Sequence, residues 1–286
     1  LLHLGHMYMT IDPSVSLQHF NDAVDMEPYS HHTYFARAKY YFECARNFKL
    51  ALQDFNQGVE IAQENHVPVS EQVLIDKAGC LIALGDYPKA IAELNEVLES
   101  SNASDMNRTM SLILIAECYS RSNRSQEAIN HLNRALNLAP NAIVHFKRAI
   151  LLRDAFDRKQ DALDDLNKAI ELSSENPEFY FERSVTLVGL NDVDRALLDL
   201  NQAIALNPNY VDALGDRASI YFTQSKYKEA LEDVNHLIEL EPDNVYTFYN
   251  LRGKIRSMNG EVHEAKDDFD LAIQLGPNDA SLYLNR

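Results

Sequence analysis

Three kinds of side chain in this 286-residue sequence could do chemistry: paired carboxylates, histidines and cysteines. Asp164-Asp165, Glu232-Asp233 and Asp267-Asp268 are adjacent acids of the sort that could share general acid and base duties. They recur at the same place in successive segments, however, which marks a structural position and not one active site. Among the ten histidines, His31 and His32 are neighbours and His3 and His6 lie three apart, but no third ligand stands at metal-site spacing. Cys44, Cys80 and Cys118 are separated by 36 and 38 residues, fit no local metal motif and cannot form a complete disulfide set. They read as reduced thiols of a cytoplasmic protein, in which the sequons at Asn102, Asn107 and Asn123 carry no sugar. Nine glycines form no phosphate-binding loop. The expectation is a protein that is not an enzyme and holds neither metal nor cofactor.

What must position these residues is a repeating helical frame. Ala51, Ala90, Ala128, Ala162, Ala196, Ala230 and Ala265 are separated by 39, 38, 34, 34, 34 and 35 residues. Four residues after each comes Phe55, Leu94, Leu132, Leu166, Leu200, Val234 or Phe269, and three further on Gly58, Val97, Ala135, Ala169, Ala203, Leu237 or Ala272. Apolar residues at i, i+4 and i+7 mark one face of a helix, and small ones let a neighbouring helix approach closely. A second helical segment precedes each, as in 180–187, and ends in a short polar stretch such as Gly85-Asp86-Tyr87 or Asn259-Gly260-Glu261, where glycine can take the left-handed cap conformation. Pro28, Pro140, Pro208, Pro242 and Pro277 close many units. Helix, turn, helix, proline, repeated: the pattern predicts an all-α solenoid of about 16 antiparallel helices with no sheet.

This arrangement resembles the tetratricopeptide repeat family, whose 34-residue signature is W-x2-L-G-x2-Y, then A-x3-F, then P. Ala196-x3-Leu200-x2-Ala203-x4-Pro208 and Ala128-x3-Leu132-x2-Ala135-x4-Pro140 carry the second half intact. The first half departs from it, with no Trp and with Arg-Ala, Arg-Ser or Arg-Gly for Leu-Gly. The resemblance implies one right-handed superhelical array over 1–286, in approximate repeats 1–28, 31–64, 71–104, 109–140, 142–175, 177–208, 211–242 and 246–277, with a partial one at 280–286. Extra residues between Gly58 and Leu74, and between Val97 and Leu112, read as longer helices with wider turns. Both ends fall inside a repeat, so the chain is expected to be a piece of a longer protein.

Two polar positions recur. Arg37, Arg148, Arg183, Arg217 and Arg252, with Lys77 in the third unit, are followed 16 or 17 residues later by Asp54, Asp165, Asp199, Asp233 and Asp268, with Glu93 for the lysine. The units with Leu4 and Ile115 at the basic place carry His19 and His131 at the acidic one. Either a salt bridge between the two helices of a unit or simple inheritance through duplication accounts for charges that come and go together. The other position is Asn21, Asn56, Asn95, Asn133, Asn167, Asn201 or Asn235, with Asp270 last. Asparagine is an indifferent helix former, so a hydrogen bond to the adjoining repeat is expected there.

Lys plus Arg number 26 against 43 Asp plus Glu, a formal charge of −17 that repels phosphate backbones, disfavours nucleic acid and would steer in a basic partner, or simply keeps a long array soluble. No apolar stretch approaches the roughly 20 residues of a membrane span. By the family resemblance, first helices line a concave face, which here presents Phe35, Phe42, Ile75, Ile82, Ile113, Phe146, Phe181, Val188 and Phe222, then Asn250 and Lys254. Such a groove suits an extended or helical peptide of another protein. The Lys-x3-Asn and Lys-x3-Arg pair with which co-chaperone members clamp a C-terminal carboxylate is not found at matching places. The expected function is a protein-interaction scaffold. The alternatives are a structural part of a ciliary or transport assembly bound by its edges, and the targeting domain of an enzyme. The sequence leaves the oligomeric state open.

Overall fold

A computed structural model describes residues 1–240 and 245–276. Among them are sixteen α-helices and no strand: α1 (Leu2–Tyr8), α2 (Pro13–Met26), α3 (His31–Glu43), α4 (Phe48–Glu64), α5 (Glu71–Ala83), α6 (Tyr87–Glu99), α7 (Asp105–Arg121), α8 (Ser125–Leu138), α9 (Ala142–Phe156), α10 (Lys159–Leu172), α11 (Pro177–Gly189), α12 (Val193–Leu206), α13 (Val211–Thr223), α14 (Tyr227–Glu239), α15 (Val245–Met258) and α16 (Val262–Leu275). Odd-numbered helices are the first, and even-numbered the second, of each pair. The helices group into two units, Leu1–Val144 and the residues from His145 onward. Pro242, Pro277 and the expected partial repeat at 280–286 lie outside the described residues.

The repeated small-large-small stripe on the second helices is the core of both units. Ala51, Ala90, Ala128, Ala162, Ala196 and Ala230 are wholly buried, as are Leu94, Leu200, Val97, Ala135, Ala169, Ala203 and Leu237. A helix carrying alanine where its partner crosses can approach until the large residues one turn away interlock. The extra residues after Gly58 and Val97 lengthen α4 and α7 to 17 residues each, while α6 keeps 13.

The turn inside seven of the eight pairs, from α3–α4 onward, repeats one device. Arg46, Gly85, Asn123, Asp157, Asn191, Ser225 and Gly260 all take positive φ, between 50° and 88°. Only two of the seven are glycine, so the sequence signal for this cap is visible in two units and hidden in five. The non-glycine residues accept a strain of about 1 kcal/mol each. In return the next amide reaches back five or six residues: Asp86 N–H donates to Leu81 O at 2.9 Å, Asp192 to Leu187 at 2.9 Å and Arg158 to Leu152 at 2.8 Å. These bonds satisfy carbonyls that the helix end leaves open.

Candidate protein-binding face

The structure brings each basic residue to its acid. Closest N···O distances are 2.7 Å for Arg37–Asp54, 2.7 Å for Lys77–Glu93, 2.6 Å for Arg148–Asp165, 2.6 Å for Arg183–Asp199, 2.6 Å for Arg217–Asp233 and 2.7 Å for Arg252–Asp268. The arginine pairs are bidentate through Nε and Nη2, as in Arg183 to Asp199 Oδ2 and Oδ1 at 2.7 and 2.6 Å. The remaining Nη1 donates to the recurring asparagine of the preceding pair: Arg37 to Asn21 at 3.1 Å, Arg183 to Asn167 at 2.8 Å, Arg217 to Asn201 at 2.6 Å and Arg252 to Asn235 at 2.9 Å. One guanidinium therefore ties its own second helix to the one before. The two recurring polar positions, separate in sequence, are one network. In α3, α11 and α15 the same arginine lies over the tyrosine one turn earlier, at 5.8 Å for Tyr34, 5.6 Å for Tyr180 and 5.2 Å for Tyr249.

Where the basic residue is missing altogether, the acid's replacement faces an aromatic ring. His19 stands 5.8 Å from Tyr8, and His131 5.2 Å from Tyr119 in an edge-to-face arrangement. The Nδ1 atoms of both histidines are buried without a hydrogen-bond partner. Burial first, then the nearby Arg134 charge, lowers the His131 pKa below its ordinary value. A histidine so placed binds fewer protons folded than unfolded. Its contribution to stability is present above the unfolded value of about 6.5 and is lost as pH falls through the lowered folded value. Urea midpoints measured across that window should fall with acidification more steeply in the native protein than in His131→Phe; parallel curves would remove this account.

The residues expected on the inner face divide. Ile75, Ile82, Ile113 and Phe146 are buried, at 6–7% exposure, so they cannot anchor a partner. Ile75 and Ile82 enter the core that Leu94, Val97, Ile115 and Cys118 build, and Phe146 stacks on Phe179 with ring centres 4.9 Å apart. Helical position alone placed them on the open side; the adjoining helices cover them. Phe35 and Phe42 are half-buried because each ring lies over a glycine. A methyl group on Gly58 would fall 2.5 Å from Phe35, and one on Gly79 would fall 3.0 Å from Phe42. In the second unit Phe181 and Phe222 are likewise half-buried, beside Tyr210 and Tyr227 at 5.1 and 6.1 Å, and Val188 is 44% exposed. Asn250 and Lys254 are half-buried on α15.

Sequence reasoning missed a group of residues around Phe181. Glu178 and Glu182 lie one turn apart on α11, and Asp212 and Asp216 one turn apart on α13. Burial, and then the Glu178, Asp212 and Glu182 charges, push the Tyr210 hydroxyl up to about 12. Burial, followed by Asp212 and Glu182, also raises the Asp216 carboxyl. Glu182 pairs with Arg153 at 2.6 Å, whereas Glu178, Asp212 and Asp216 have no ion-pair partner among the described residues. Between the two aspartates is Gly215, at the place that Phe146 and Phe181 hold in α9 and α11. A methyl group there would meet nothing within 4 Å. Gly215→Ala is therefore expected to stabilise the protein by up to about 1 kcal/mol through helix propensity, and a lower urea midpoint would contradict it. No described helix is long and apolar enough to cross a membrane.

Family descriptions reading "Tetratricopeptide repeat" match residues 70–141, and 115–177 with 181–245. A comparison with curated proteins finds no match. Among solved structures, the chain is similar to a tetratricopeptide repeat protein from Parabacteroides merdae, at 18% identity and a TM-score of 0.58, over 89% of this chain and 96% of that one. It is similar to a chain of the APC/C hetero-tetramer Cut9–Hcn1, at 16% identity and a TM-score of 0.63, over 89% of this chain and 52% of that one. Pseudomonas aeruginosa pilF gives 15% identity and a TM-score of 0.63, over 74% of this chain and 95% of that one. At these identities the likeness is one of fold.

Proposed function

Because this chain belongs to the tetratricopeptide repeat family, we propose that it is a non-enzymatic scaffold that binds segments of other proteins on the first-helix face of its second unit. One observation carries the reading. Phe181 and Phe222 remain partly accessible and Val188 is exposed, while Phe146 and Ile113, at the register position of Phe181, and Ile82, at that of Phe222, are buried. Aromatic side chains left partly accessible on a rigid helical surface supply large contact area at small entropic cost, and such anchors dominate binding energy. The unpaired carboxylates near Tyr210, the ring beside Phe181, favour a basic segment over an acidic one, in keeping with the net charge of −17.

The test is selection from a random peptide library on the native protein, followed by affinity measurement on a Phe181→Ala, Phe222→Ala double variant. Truncation of two anchors should weaken the selected peptides by about 2 kcal/mol or more, with the helical circular dichroism unchanged. Unaltered affinity in a folded double variant would move binding to the edges of the array, the mode expected of a structural component in a large assembly.

A further inference from the structure

One junction of the polar network is built differently from the others. Arg37, Arg183, Arg217 and Arg252 each extend Nη1 to the recurring asparagine of the preceding pair while holding the acid of their own. Where α4 meets α5 the basic residue is Lys77, whose single nitrogen ends on Glu93 Oε1 at 2.7 Å. A lysine has no planar fork with which to reach two acceptors. The Asn56 side chain of α4 and the second oxygen of Glu93 are accordingly without a hydrogen-bond partner among the described residues.

Both groups line one cavity of about 340 Å³, together with Lys77. That is the size of a small-ligand pocket, for which about 300–1,000 Å³ is usual. Leu52, Leu81 and Leu84 supply its apolar wall. Asp86 and Lys89 also border it, paired with each other at 2.7 Å, with the Lys89 side chain 75% exposed. Asn56, Leu84 and Lys89 are exposed, so the cavity opens to solvent.

The protein itself shows which group such walls suit. An asparagine oxygen and a carboxylate are the two acceptors that one guanidinium bridges at four other junctions. A second cation on the acid also has an internal precedent. Asp268, at the register position of Glu93, holds both Arg252 and Arg256 at 2.7 Å. An anion would meet the unpaired Glu93 oxygen, and an apolar ring would strip water from both acceptors and return no hydrogen bond. An ammonium, like that of Lys77, spans only one of them.

We infer that this cavity between α4, α5 and α6 binds an arginine side chain of a partner protein, its guanidinium bridging Asn56 and Glu93 and its stem against Leu52, Leu81 and Leu84. The site lies in the first unit and shares no residue with the face proposed above, so either can fail without the other.

Amide-shift titration of the full chain with N-acetyl-arginine-amide, followed by nuclear magnetic resonance, tests this. Saturable shifts are expected at Asn56, Lys77 and Glu93. N-acetyl-citrulline-amide, planar but uncharged, should bind much more weakly. Asn56 is exposed on α4, so Asn56→Leu should leave the fold intact and raise the apparent Kd about tenfold, equivalent to about 1.4 kcal/mol. The double variant Lys77→Arg, Glu93→Asp writes the residues of the other units into this one. Its own guanidinium should then take Asn56 and shut out the probe, with a urea midpoint no lower than the native one. Absence of saturable shifts in the native protein, equal binding of citrulline, or undiminished binding by Asn56→Leu or the folded double variant would each overturn the inference. Shifts confined to α11 and α13 would overturn it as well, by placing the arginine on the face of the second unit.

Discussion

Asp199→Ala should lose about 3 kcal/mol of stability, because it leaves the Arg183 guanidinium without its anion in a largely dry site. The pair is bidentate at 2.6 and 2.7 Å, and the side chains are only 20% and 7% exposed. The hydrogen bonds to Asp199 are the largest influence on the Arg183 pKa and raise it, against burial, which lowers it. Asn167 and the Tyr180 ring remain to Arg183 after the substitution, which places the cost at the lower end of the range of about 3–5 kcal/mol for breaking a buried pair. Repeat arrays unfold in parts, so the loss should be read both as a urea midpoint and as hydrogen exchange of the α11 and α12 amides. The apolar double variant Arg183→Met, Asp199→Leu should recover most of it, since no charge is then stranded. A cost below about 1 kcal/mol would reduce the network to a surface ion pair.

Phe179→Ala should be costlier still, at about 3–5 kcal/mol. Phe179 is 1% exposed and stacks on Phe146, so its loss opens a cavity lined by that ring. Two residues away, Phe181→Ala removes a ring that is only partly buried and should lose less stability, its effect falling on binding instead. The contrast between neighbours of the same chemistry is the informative measurement, made by thermal and urea denaturation of both variants. Similar losses for the two would mean that Phe181 is also a core residue and would withdraw it as an anchor.

How much of this was legible beforehand depends on the kind of contact. Sequence alone determined the array, because the burial stripe of a helix pair is local: Ala196, Leu200 and Ala203 are one helix face whatever surrounds them, and all three are wholly buried. It also singled out the residues of the polar network, since arginine and aspartate vanish together where Leu4 and Ile115 stand. It could not show that Asn167 belongs to the same network as Arg183 and Asp199, because that bond joins successive helix pairs and depends on how closely they stack. Nor could it separate Phe146 from Phe181, which hold one register position on two helices. Each faces a ring at a similar distance, Phe179 for the first and Tyr210 for the second, so their different exposure depends on the rest of the packing around them, which only the tertiary structure fixes. The same holds for the seven left-handed turn residues, of which glycine announces just Gly85 and Gly260. Gly215 is the clearest case: the letter says that a side chain is missing, and only the tertiary structure decides that nothing in the protein fills its place.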